Sequence, residues 1–268
     1  MNPLAELSVK PFADGADIDV IARMSEDSQI QEFTTNPTLM RKAKVLDYKD
    51  FAHEVLAVVG DRPVSFEVFS DGLEEMEAQA MEIASWGENV FVKIPVPNTE
   101  GAFTGTLIKR LCLSGVKVNV SAILTLTQVI RVVGCLDRSA RAFISVFAGR
   151  IADTGRDPIP VMSRSLAVLR DHPLAELIWA SSREVLNVVQ AISIGCPIIT
   201  ATADILAKLS LGGKDLDIFS LETVRMFRQD AIAAGYSIEG GTPHDGREFA
   251  GPPSSFVQDL SNASCPNP

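Results

Sequence analysis

No run in this 268-residue chain approaches the roughly 18 consecutive apolar residues that a membrane-spanning helix needs, and the first residues lack a basic stretch followed by an apolar one. Neither membrane spanning nor secretion is expected. Cysteine is scarce: Cys112, Cys135, Cys196 and Cys265 form no C-x-x-C pair, and three of them stand among apolar neighbours, where reduced thiols act as small hydrophobes. This predicts a reducing compartment, most simply the cytoplasm. Basic clusters are also missing. With 24 Lys plus Arg against 34 Asp plus Glu, the net charge of −10 repels nucleic acid and anionic membranes, so neither is expected as a partner. An anionic substrate must then be met by a few well-placed cations. No strand-like run is followed by G-x-G-x-x-G or a Walker loop, which argues against an open, doubly wound nucleotide-binding sheet.

What is present is an alternating array. Short apolar runs recur between longer segments of helical spacing, the pattern of βαβ units building a parallel sheet. Eight strands are predicted: Val9–Asp14, Ile30–Thr34, Val64–Phe69, Val90–Pro95, Val116–Ser121, Phe143–Phe147, Leu177–Ser181 and Pro197–Ala201. Helices are predicted at Leu73–Ser85, Gly105–Leu113, Leu124–Val133, Val161–Asp171, Arg183–Ile192 and Leu221–Ala234. Eight strands and this length fit one closed (β/α)8 TIM barrel over residues 1–235, with additional helices. From Tyr236 to Pro268 the chain is rich in Gly, Pro and Ser and has no period. This reads as a flexible tail, a lid, or an arm on a neighbouring subunit that would make a homo-oligomer.

Side chains alternate across a strand, so residues of one parity line the barrel interior. Val92 and Ile94 form an outward pair, which turns Lys93 inward beside Phe91. Ser65, Glu67 and Phe69 are expected inside, as are Lys117, Asn119 and Ser121, and Ser145 with Phe147. Asp14 points inward at the end of its strand, and Thr34 and Asn36 share a parity just before Pro37, where a helix can start. These positions gather at strand C-termini, where barrel active sites lie.

Each residue alone has an ordinary explanation: an ion-paired lysine, carboxylates that satisfy it, hydroxyls bonded among themselves. Together they suggest covalent chemistry. An amine in a partly apolar cavity loses its proton more readily than in water, and the neutral amine attacks ketones. Asp14 and Glu67 can move protons, Ser121 can position a water, and Asn36 and Asn119 can bind sugar hydroxyls.

The stretches FADGAD (12–17), TTNPTL (34–39), VSFEV (64–68), FVKIP (91–95), VNVSAILT (118–125), ISVFAGRI (144–151) and ASSREVLNVVQ (180–190) resemble the transaldolase family in order and spacing. The resemblance implies a circularly permuted class I aldolase barrel, no metal or other cofactor, and a Schiff-base lysine at Lys93. It implies Asp14 as acid/base, Glu67 and Ser121 as the water-positioning pair, and Thr34, Asn36, Asn119, Ser145 and Phe147 at the substrate. Arg150, Ser181 and Arg183 are implied to hold the phosphate. The implied reaction, in the pentose phosphate pathway, moves dihydroxyacetone from sedoheptulose 7-phosphate or fructose 6-phosphate to an aldose phosphate. Glu67 and Phe147 resemble the transferases, where aldolase relatives tend to have Gln and Tyr. Gly15 stands where Thr is usual and Ser182 where an aromatic is common, which bears on the acceptor. A fructose 6-phosphate aldolase, a biosynthetic transaldolase with an unusual acceptor and a non-catalytic sugar-phosphate-binding barrel are the alternatives.

Overall fold

The computed structural model describes residues 8–238. Eight parallel strands close on one another in chain order: β1 (Lys10–Asp14), β2 (Glu32–Thr34), β3 (Val64–Glu67), β4 (Val90–Pro95), β5 (Val118–Ile123), β6 (Ala142–Val146), β7 (Ala175–Trp179) and β8 (Ile198–Ala201). β1 pairs with both β2 and β8, and this closes the barrel. The expected (β/α)8 architecture is therefore present.

Two apolar layers follow from strand parity. Val92, Ile94, Val118, Val120, Ile144 and Val146 turn outward and are buried with helix residues such as Leu107, Leu111, Val129 and Val132. Inside the barrel, Phe12, Phe91, Phe143, Ile178 and Ile198 form a separate cluster, with the Phe91 and Phe143 rings stacked at 4.2 Å between centroids. That cluster holds up the residues at the strand C-termini.

The helices on the barrel include α1 (Ile18–Ser25), α2 (Pro37–Lys42), α3 (Tyr48–Val59), α4 (Leu73–Ala84), α5 (Gly105–Leu113), α6 (Leu126–Val133), α7 (Ala148–Asp153), α8 (Ile159–Leu169), α9 (Val185–Ser193) and α10 (Ala203–Lys208). Periodicity missed α1, α2, α3, α7 and α10. Three of these carry N-caps visible in the sequence: Asp17, Asn36 and Asp47 accept from the backbone N–H groups of Val20, Leu39 and Asp50.

Two expectations need correction. β3 ends at Glu67, so Phe69 is not inside the barrel; it is half exposed and packs on the Tyr48 ring. Gln79 Oε1 accepts the N–H groups of Phe69 and Ser70 in place of a ladder partner and turns the chain away. β5 begins at Val118, so Lys117 precedes it and donates its ammonium to the Glu88 carbonyl. β5 also carries a bulge between Val120 and Ile123, where Ala122 adopts φ 58°.

The chain divides at Gly212 into two compact units. The second begins with α11 (Leu216–Ala233), capped by Asp215, whose side chain accepts the Ile218 N–H; no side chain of this helix is buried. Of the expected tail over 236–268, residues 239–268 lie outside the described residues. Among those described, no helix is long and apolar enough to cross a membrane.

Candidate active site

A cavity of about 440 Å³ opens at the C-terminal end of the barrel. Register brings its chemistry together: Glu67 on β3 pairs with Lys93 on β4, which pairs with Asn119 on β5. Lys93 is buried, its Nζ donates to the Thr35 carbonyl at 2.8 Å and lies 3.5 Å from Glu67 Oε2. The amine is thus held between a backbone oxygen and a carboxylate, facing open volume.

Asp14 ends β1 in the same space. Burial pushes its carboxyl up to about 6, against the opposing pull of the Lys93 charge and of the Asn36 amide, which donates to Oδ1 at 3.5 Å. Such a group carries and releases a proton near neutral pH. Asn36 is itself fixed, because its Oδ1 caps α2 by accepting the Leu39 N–H at 3.0 Å.

Glu67 is anchored through its backbone. The Tyr48 hydroxyl accepts the Glu67 N–H at 2.8 Å and donates to the Glu67 carbonyl at 3.1 Å. β2 has ended at Thr34, paired with Ser65, so one phenol from α3 supplies what a further strand residue would have supplied. On the other side, Ser121 Oγ donates to Glu67 Oε1 over a long 3.5 Å.

The opposite wall comes from the turns after β6 and β7. Arg150, on α7, lies over the Phe147 ring at 5.4 Å, and Arg183 makes a two-pronged pair with Asp153. Ser181, which lines the same cavity, has φ 62°, a conformation that costs a non-glycine residue about 1–2 kcal/mol. The approach is close because position 149 is glycine: a Cβ there would stand 1.7 Å from the Ser181 carbonyl oxygen.

Asp14, Thr34, Asn36, Glu67, Lys93, Asn119, Ser145, Phe147, Arg150, Ser181 and Arg183 all line this one cavity. Ser121 does not, and it reaches the site only through Glu67.

A model of the family described as Transaldolase/Fructose-6-phosphate aldolase matches residues 11–240. The chain belongs to this family. Relatives include a probable transaldolase of Dehalococcoides mccartyi, 32% identical over 199 residues that cover 74% of this chain and 88% of that protein. A probable transaldolase of Heliobacterium modesticaldum is 34% identical over 200 residues, covering 74% and 88%. Among solved structures, a mandelate oxidase variant carrying an FMN adduct has a TM-score of 0.50 at 16% identity, covering 79% of this chain and 68% of that one; the likeness is one of barrel fold.

Within the transaldolase family frame, several cavity groups escaped sequence reasoning. The Thr35 carbonyl that meets Lys93 is a backbone atom and leaves no residue-type signal. Thr200 shares the inward parity of Ile198 on β8 and could have been found; its Oγ1 accepts the Ser181 N–H at 3.3 Å. Lys42, at the end of α2, joins Lys93, Arg150 and Arg183 as a fourth basic side chain lining the cavity.

Proposed function

We propose that this chain is a transaldolase acting through a Schiff base at Lys93. The observation that carries the reading is the placement of one buried lysine on β4, in register with Glu67 on β3, in a cavity that also holds the Asp14 carboxyl, which burial raises to about 6. Phosphate binding alone would not require that arrangement.

In this reading the Lys93 amine adds to the ketose C2 carbonyl and forms a carbinolamine. Loss of water gives the iminium, with Glu67, braced by the Ser121 hydroxyl, holding the water that leaves and later returns. Asp14 takes the proton of the C4 hydroxyl as the C3–C4 bond breaks, and the electron pair flows into the iminium to leave an enamine. The aldose phosphate departs. The enamine then attacks the aldehyde of an acceptor, Asp14 returns its proton to the new hydroxyl, and hydrolysis frees Lys93. Thr34, Asn36, Asn119 and Ser145 orient the hydroxyls. Arg150, Ser181 and Arg183 hold the phosphate, where two guanidinium groups offset the acidic chain.

Phe147 favours transfer over release, because its ring gives the enamine an apolar wall with no hydroxyl to order a water. Sedoheptulose 7-phosphate and fructose 6-phosphate are the proposed donors. The described cysteines Cys112, Cys135 and Cys196 are unpaired, which agrees with a cytoplasmic enzyme. The test is product analysis with fructose 6-phosphate and erythrose 4-phosphate. Sedoheptulose 7-phosphate forming faster than free dihydroxyacetone supports transfer; the reverse supports an aldolase.

A further inference from the structure

One carboxylate inside the barrel takes no part in the reaction described above. Glu32, on β2, is fully buried; its Oε1 accepts from Ser65 Oγ at 2.7 Å, and its Oε2 has no hydrogen-bond partner among the described residues. The contacts continue toward the cavity. Asn119 Nδ2 donates to Ser65 Oγ at 3.0 Å, and Ser145 Oγ donates to Asn119 Oδ1 at 2.7 Å. All four side chains are buried, and Asn119 and Ser145 line the cavity.

Proton counting sets the direction of this chain. A serine hydroxyl has one hydrogen, and that of Ser65 goes to Glu32. Ser65 then offers only lone pairs to Asn119, so an amide N–H must face it and the amide oxygen must face Ser145. The hydrogen of Ser145 is spent on that oxygen. The cavity therefore sees a donor from Asn119, its second N–H, and an acceptor from Ser145. Burial pushes the Glu32 carboxyl well up, the Ser65 hydrogen bond opposes this, Glu176 adds to it, and Arg141 and Lys93 oppose it. Asn119 Nδ2 faces Ser65 Oγ, so the Ser65 hydrogen points to Glu32 and Oε1 is its acceptor.

We infer that Glu32 is a positioning residue: through Ser65 it fixes the amide orientation of Asn119, and with it the donor and acceptor pattern that Asn119 and Ser145 present to the ketose hydroxyls. The inference rests on the Schiff-base reading of the cavity. Without the Glu32 oxygen, the Ser65 hydrogen turns to Asn119, the amide reverses, and Ser145 donates into the cavity where it had accepted.

The test compares Glu32→Met, which keeps the volume but removes the acceptor, with Glu32→Gln, which keeps an oxygen for Ser65. In the transfer assay, Glu32→Met is expected to lower kcat/KM by about tenfold, the order found when polar groups in contact act as one network. Glu32→Gln should stay within about threefold of wild type, and in an Asn119→Ala background Glu32→Met should cost nothing further. Full activity in Glu32→Met, an equal loss in Glu32→Gln, or an undiminished loss in the Asn119→Ala background would each overturn the inference. Should Glu32→Met fail to fold, Ser65→Ala breaks the same link and carries the same expectations. A second readout needs no activity: the Asn119 side-chain amide resonance, identified by its loss in Asn119→Ala, should move in Glu32→Met and stay in Glu32→Gln. An unmoved resonance overturns the inference. A moved one in an inactive protein upholds the hold on Asn119 while the Schiff-base reading fails.

Discussion

Replacing Asp14 by Asn should stabilise the protein at neutral pH while removing activity. Burial raises this carboxyl from its ordinary 3.8 to about 6. A folded-state value above the unfolded one means that protonated Asp14 favours folding below pH 3.8, and that this contribution is lost as pH rises through about 6. The gap is roughly two pH units, and at about 1.4 kcal/mol each it costs the wild-type fold about 3 kcal/mol at pH 7.5. Asn keeps an oxygen to accept from Asn36 and carries no charge to bury. For a barrel of this size the gain corresponds to a rise in melting midpoint of roughly 6–12 °C. Thermal melts of both proteins from pH 3.5 to 8 read it directly. The two curves should converge near pH 4 and separate as pH rises. Activity should fall by about 10²- to 10⁴-fold, the range for loss of a general acid/base. An Asn variant no more stable than wild type at pH 7.5, or a gain that does not vary with pH, would refute the reasoning.

Two further substitutions probe the walls of the cavity. Gly149→Ala puts a Cβ 1.7 Å from a backbone oxygen of Ser181, so the turn carrying Ser181 and Arg183 must move; a loss of about 1–3 kcal/mol and a raised KM for phosphorylated substrates are expected, read by melting and initial rates. Tyr48→Phe leaves the Glu67 N–H and carbonyl without their shared partner. The expected cost is about 1–3 kcal/mol, with kcat falling more than KM changes as Glu67 loses its anchor.

The barrel was legible because its strands announce their facing. Lys93 between Val92 and Ile94, and Asn119 between Val118 and Val120, can only point away from the surrounding helices once those valines are buried. Parity failed where a strand stops. Phe69 follows Glu67 in the alternation, yet the ladder has already ended and Gln79 has turned the backbone. Three of the missed helices, α2, α7 and α10, span six residues each, too few to show a period; for α2 the Asn36 cap and the Pro37 start were the available signals. What remained invisible acts through the backbone. The Thr35 carbonyl at Lys93, the left-handed Ser181 and the near contact at Gly149 depend on where chains pass one another, which no residue type encodes. Tyr48 and Glu32 act on the site from α3 and β2 through hydrogen bonds across 19 and 33 residues of sequence, so their roles appear only in three dimensions.

The central claim is covalent catalysis at Lys93, and borohydride trapping tests it most directly. The protein is incubated with fructose 6-phosphate, reduced, and read by intact and peptide mass spectrometry beside a Lys93→Ala control. The account predicts a reduced dihydroxyacetone or ketose adduct on the peptide containing Lys93 and none in the control. An adduct on another residue, or none with fructose 6-phosphate or sedoheptulose 7-phosphate, would contradict it.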